Sequence, residues 1–149
     1  MAHAYPLTLT WTGNTLDGAA YNRNATVTTE GKHPLSVSSA PEYAGDGSRW
    51  NPEDLLGSAL ATCHMLTFLA LCAKAKVEVC GYEDHAESVL DTVDKVTRIT
   101  QVRLRPVIRV PRGTSLAKVV ELFEKAHKYC FVANSVTCEA VMEPRVVEV

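Results

Sequence analysis

The chain has 149 residues, 46% of them hydrophobic, a formal net charge of −2 and five cysteines. That length gives one domain, residues 1–149, with a sizeable core. The slightly negative charge argues against a nucleic-acid surface, and an odd number of cysteines argues against a closed disulfide framework.

The opening MAHAYPLTLTWTG has neither a basic n-region nor an apolar h-region, so no signal peptide is expected and the chain is expected in the cytoplasm. Within it, residues 5–12 alternate Leu7, Leu9 and Trp11 with Thr8, Thr10 and Thr12, the period of a half-buried strand. The turn signal Gly13-Asn14 follows, then a second strand over residues 16–29 and, after Glu30-Gly31, a shorter third over 33–38, which makes an antiparallel meander. Residues 41–50, PEYAGDGSRW, read as a loop from their Pro and Gly content.

That loop delivers the chain to residues 51–76, NPEDLLGSALATCHMLTFLALCAKAK, the most apolar helix of the sequence. Asn51 suits the N-cap, Pro52 the first helical position, Glu53 and Asp54 the positive end of the dipole, and Lys74 and Lys76 the other end. Between Leu55 and Ala73 there is no Asp, Glu, Lys or Arg, a run that meets the length of a membrane span. Gly57, Ser58, Thr62, His64 and Thr67 dilute it, and no basic cluster or aromatic belt flanks it, so a buried soluble helix is expected instead of a membrane partner. A helix apolar all round must be covered all round, and a second subunit supplies the extra layer most simply.

Residues 77–90 and 93–110 are rich in β-branched side chains and read as two long strands joined at 91–95. Arg98, Arg103, Arg105, Arg109 and Arg112 recur along the second of these, as on a solvated face. Pro111 to Gly113 break the pattern, and Thr114 or Ser115 caps a helix over 116–128 with Leu116, Val119, Val120 and Phe123 at helical spacing. After an irregular piece at 130–134, residues 136–149 form a closing strand interrupted near Pro144. The order βββ-α-ββ-α-β is an α+β arrangement of antiparallel sheet and two helices.

Cys72, nine residues along the helix from Cys63 and read as lying on nearly the same face, and Cys138 in the last strand read as small buried hydrophobes, and Cys80 as an edge residue. Cys63 in the first helix and Cys130 at the end of the second meet if the two helices pack, one then serving as an attacking thiolate and the other as its resolving partner. A thiolate at neutral pH calls for a cation close by. Glu53 lies ten positions before Cys63, about 15 Å along the axis, so only a second, antiparallel subunit would bring a Glu53 beside it. Cys63, His64, His127 and Cys130 offer a metal donor set on paper, but adjacent helical residues point about 100° apart and converge poorly, so no metal or cofactor is expected.

The segments NPEDLLGSALATCHMLTFLALCAKA and AHKYCFVANSV, with the closing EPRV, resemble the OsmC/Ohr family of thiol-dependent hydroperoxide reductases over nearly the whole chain. The resemblance implies an intertwined homodimer with two long central helices wrapped by sheets, and a site at the subunit interface that reduces organic hydroperoxides in oxidative-stress defence. It implies Cys63 as the peroxidatic cysteine, Cys130 as the resolving one, and Glu53 as the carboxylate that orients an arginine, Arg23 by position with Arg49 as the fallback. An external dithiol, lipoyl-like in the Ohr members, would be the reductant. Asn22-Arg23-Asn24 does not reproduce the glycine-rich arginine context of the Ohr branch, and the wording CHMLTFLALCAK is closer to a general OsmC-like branch. The alternative is a non-catalytic small-molecule-binding or stress-associated protein on the same fold.

Overall fold

The computed structural model describes every residue from Met1 to Val149. The chain divides into two compact units, residues 1–55 and 56–149.

In the first unit, alternating Thr and apolar residues build β1 (Thr8–Trp11), which pairs antiparallel with β2 (Ala25–Thr28), and β2 with β3 (Leu35–Val37), in the order β1-β2-β3. The meander is as expected, but the second strand starts late. Residues Thr15–Ala20 form a short 3-10 segment instead, capped by Asn14, whose side chain accepts from the Leu16 N–H at 3.0 Å. The loop after β3 returns so that Trp50 donates to Ser36 O at 3.1 Å and Ser38 to Trp50 O at 2.9 Å. Gly45 permits the return, because a Cβ there would run into the Ser39 carbonyl. The apolar face of β1 is not half-buried as read: Leu7 is 65% exposed, Leu9 63% and Trp11 41%.

Helix α1 (Pro52–Ala75) begins with a reciprocal cap, Asn51 Oδ1 accepting from the Asp54 N–H at 2.8 Å and Asp54 Oδ2 from the Asn51 N–H at 3.2 Å. It ends where Lys76 turns left-handed at φ 56° and the Val77 N–H reaches back to Cys72 O at 2.9 Å. One stripe of α1 is buried, Gly57, Leu60, His64, Phe68 and Cys72. At 100° per residue nine positions make half a turn, so Cys72 lies opposite Cys63 rather than beside it, and burial pushes its thiol up to about 11. The helix is long and apolar enough to span a membrane by length and composition, yet this stripe makes it a core helix.

In the second unit each of the long predicted strands is divided at one common level. The first becomes β4 (Gly81–Asp84) and β5 (Glu87–Val93), the second β6 (Val96–Leu104) and β7 (Pro106–Val110), and the closing strand β8 (Glu139–Met142) and β9 (Arg145–Glu148). Pro106 supplies no N–H to continue a ladder, and Pro144 interrupts the third strand at the same height. Two three-stranded sheets result, β4-β7-β9 and β5-β6-β8. Hydrogen bonds bridge the break, from Arg105 N to Asp84 Oδ1 at 2.7 Å and from Glu143 N to Leu104 O at 2.8 Å. The β5–β6 hairpin turns on Asp94 and Lys95, both at positive φ (52° and 65°), the conformation that matches strand twist. The closing strands are the exception to antiparallel pairing: β8 runs parallel to β6 and β9 parallel to β7. Helix α2 (Leu116–Tyr129) lies in the connection and carries the chain back to start in the same direction.

Val102, Leu104, Pro106, Ile108 and Val110 keep one inward parity through the break. On the other face Arg103 and Arg105 both reach Glu87 at 2.8 Å, and Arg109 lies 3.9 Å from Glu83, the solvated arginine face read from sequence. Helix α2, capped by Ser115 at the Lys118 N–H (3.3 Å), lays Val119, Leu122, Phe123 and Ala126 into the same core as α1. Phe123 meets Phe68 edge-on at 5.7 Å and His64 at 4.4 Å. A Cβ at Gly57 would collide with Ser88 Oγ, so glycine sets how closely α1 approaches β5.

Candidate functional site

An apolar helix holds a thiol in a fixed direction, and the question is what faces it. Cys63 stands beside the buried stripe of α1 and is half-buried, whereas Cys130, the C-cap of α2, is fully buried. The packing of α1 against α2 brings the two thiols close enough for each to act on the other's ionisation. Around Cys63, burial works to raise the thiol pKa, but the peptide N–H of Val132, the Cys130 thiol and the peptide N–H of Phe131 favour the thiolate, and the balance lies below the ordinary value. The Thr67 hydroxyl gives its one proton to the Cys63 carbonyl at 2.8 Å. Cys130 goes the other way: burial, and a neighbour that takes the negative charge first, hold its thiol up despite the N–H of Ala133 at 3.5 Å. The arrangement is therefore a pair with one sulfur poised to ionise and the other keeping its proton as a donor.

His64 sits in the core of its own chain. Its Nε2 donates to Phe123 O at 2.9 Å, Nδ1 has no partner, and burial holds its pKa down to about 4. The imidazole thus ties α1 to α2 one residue away from Cys63. His127 is exposed. Cys80 is an exposed thiol that donates to Arg109 O at 3.3 Å, and Cys138 packs against the core just ahead of β8. No three or more His, Cys, Asp or Glu side chains are grouped as metal ligands.

Glu53 lies in the first turn of α1, in the same unbroken helix as Cys63. Arg23 belongs to the first unit, where its Nη1 donates to Ala19 O at 3.1 Å and Tyr21 O at 2.9 Å and its guanidinium stacks 3.9 Å over the Tyr21 ring. Those partners are neutral. Arg49 instead lies 3.5 Å from the Asp46 carboxylate and donates to Ala25 O at 3.3 Å.

What sequence reading missed is the turn after α2. Its peptide groups, not a cation, are the donors that the second unit offers Cys63. The one available signal was Asn134, a residue type suited to closing a helix C-terminus. Of the large apolar side chains that follow the two cysteines in sequence, Leu66 (58% exposed) and Phe131 (83% exposed) are open, while Phe68 is sealed in the core.

The sequence profile described as OsmC-like protein matches residues 45–145. The uncharacterized protein YmaD of Bacillus subtilis is 23% identical over 137 residues, covering 90% of this chain and 87% of that protein. Peroxiredoxin OsmC of Escherichia coli is 27% identical over 93 residues, 62% of this chain and 64% of that protein. An OsmC-like protein of unknown function from Vibrio cholerae superposes with a TM-score of 0.88 at 29% identity over 96% of this chain and 99% of its own. An organic hydroperoxide resistance protein from Elizabethkingia anophelis shares the fold at TM-score 0.71 and 20% identity, with both chains covered fully. A profile that spans both cysteines and both helices, on a fold shared along the whole chain, makes this protein a member of the OsmC-like family.

Proposed function

We propose that the protein is a thiol-dependent peroxidase that reduces organic hydroperoxides to alcohols. The observation that carries this reading is the Cys63–Cys130 contact, with the Cys63 thiol held low and the Cys130 thiol held high. The thiolate of Cys63 attacks the terminal hydroperoxide oxygen, so that an S–O bond forms, the O–O bond breaks and the leaving alkoxide takes a proton to become the alcohol. Cys130 then attacks the sulfenic acid, a disulfide forms, and the hydroxyl leaves with the Cys130 proton as water. An external dithiol, lipoyl-like or otherwise, restores both thiols and leaves as a disulfide.

The site is completed, in this reading, by a homodimer. The exposure of Leu7 just ahead of β1, of Leu9 and Trp11 on it and of Leu66 on α1 supports it. Arg23 is the better arginine to steady the thiolate, because its local partners leave its charge uncompensated whereas Arg49 already has Asp46. Glu53 of the partner helix would orient it, and the reaction is assigned to the cytoplasm.

One equivalent of an organic hydroperoxide, followed by mass spectrometry, tests the cycle. A Cys63–Cys130 crosslink is expected in the wild type, a trappable sulfenic acid at Cys63 in Cys130→Ser, and no turnover in Cys63→Ser. Full activity in Cys63→Ser would refute the assignment in favour of a binding role.

A further inference from the structure

The last four carbonyls of a helix lack intrahelical donors and are satisfied from outside. At the end of α2 a single side chain does this: Asn134 Nδ2 donates to Lys128 O at 3.0 Å and to Cys130 O at 2.9 Å. The Asn134 peptide N–H adds a bond to Cys130 O at 3.1 Å. From the far side, Ser135 Oγ donates to Phe131 O at 2.7 Å and the Ser135 N–H to Val132 O at 2.9 Å. With their carbonyls anchored, the peptide groups of this turn present their N–H ends inward, Ala133 to the Cys130 sulfur and Phe131 and Val132 to the Cys63 sulfur. Successive peptide N–H groups held in this way form a concave anion site, and hydrogen bonds to a charged acceptor are the strong kind. The Phe131 ring meanwhile points to solvent, so the residue contributes its backbone here.

We propose that Asn134 is a positioning residue for Cys63: by clamping two carbonyls at the end of α2, it holds the turn at 130–133 so that the Phe131 and Val132 N–H groups meet the Cys63 sulfur while Cys130 stays in contact. Ser135 fixes the Phe131 carbonyl and the Asn134 peptide N–H the Cys130 carbonyl, but only the Asn134 side chain reaches Lys128 O and so ties the last turn of α2 to the Cys130 carbonyl. The link to turnover rests on the peroxidase reading; the link to thiol ionisation does not.

The test is the pH profile of Cys63 alkylation in the full-length protein, with iodoacetamide as the probe and the Cys63 adduct read by peptide mass spectrometry. Asn134 is exposed, so its replacement leaves the core intact. In Asn134→Ala the midpoint of the profile should rise by roughly half to one pH unit and alkylation at pH 7 should slow about three- to ten-fold. Asn134→Ser, whose shorter donor reaches only one carbonyl, should fall between Ala and wild type, and it carries the test if Asn134→Ala does not fold. A wild-type profile in folded Asn134→Ala, or in Asn134→Ser where that is the folded variant, overturns the proposal. Hydroperoxide consumption measured in parallel separates the two readings. A wild type without peroxidase activity but with the expected midpoint shift leaves the positioning role standing and removes the peroxidase, and an active wild type whose midpoint ignores Asn134 does the reverse.

Discussion

The two helices of this protein solve the same problem to different degrees. Helix α2 has one apolar face, places Val119, Leu122, Phe123 and Ala126 on the sheet and gives its other face to solvent, so within one chain it is finished. Helix α1 is apolar on every side, yet one chain buries only the stripe from Gly57 to Cys72 and leaves Leu66 more than half exposed. The difference teaches that α2 is covered within one chain, whereas α1 is the helix that the proposed dimer would cover. Each helix carries one of the paired cysteines, and the thiol on the less covered helix is the one held below its ordinary pKa.

The largest effect should come from polar substitution on the uncovered side of α1. Leu66→Glu is expected to convert the proposed dimer into monomer at micromolar concentration in sedimentation equilibrium, while Glu124→Ala on the solvated side of α2 leaves assembly unchanged and stability within about 0.5 kcal/mol. A stable wild-type monomer would erase the distinction between the helices. Next in size is the seam they share. Phe123→Ala removes the ring that His64 and Phe68 pack on and should cost about 3–5 kcal/mol in denaturant unfolding, with the cavity left behind included.

The smallest effect is the acid sensitivity of that seam. His64 is neutral in the folded protein, its pKa held down to about 4 by burial, against an unfolded value near 6.5. The unfolded chain therefore binds the extra proton first. Stability from this group is complete above pH 6.5 and is lost progressively as the pH falls toward 4, by on the order of 3 kcal/mol. His64→Leu should flatten that part of the pH–stability curve; an unchanged slope would mean that His64 is not the group responsible.

Legibility in the sequence followed the range of the interactions concerned. Asn51, Pro52, Glu53 and Asp54 act within one turn, so the start of α1 was readable, and the reciprocal Asn51–Asp54 cap is there. The Cys63–Cys130 contact was readable as soon as both helices were, because each cysteine has a defined place on its helix. The parallel direction of β8 and β9 was not, since periodicity gives a strand its faces but not its partner. Nor was the division of the strands, where Pro106 breaks the ladder without disturbing the inward parity that made residues 93–110 look continuous. The donors around Cys63 escaped entirely, because peptide N–H groups carry no side-chain signature.

The burial of Cys130 has a consequence for how the proposed disulfide would be opened. Of its two sulfurs only that of Cys63 is reachable from solvent, so a visiting dithiol must attack there and expel Cys130. Cys130 holds the higher pKa of the pair and is the poorer leaving group. Attack in the opposite sense would release the better-stabilised Cys63 thiolate but is shut off by packing. In the proposed cycle oxidation would thus be easy and reduction selective: a stray monothiol would gain little, and a reductant whose second thiol completes the exchange would be favoured.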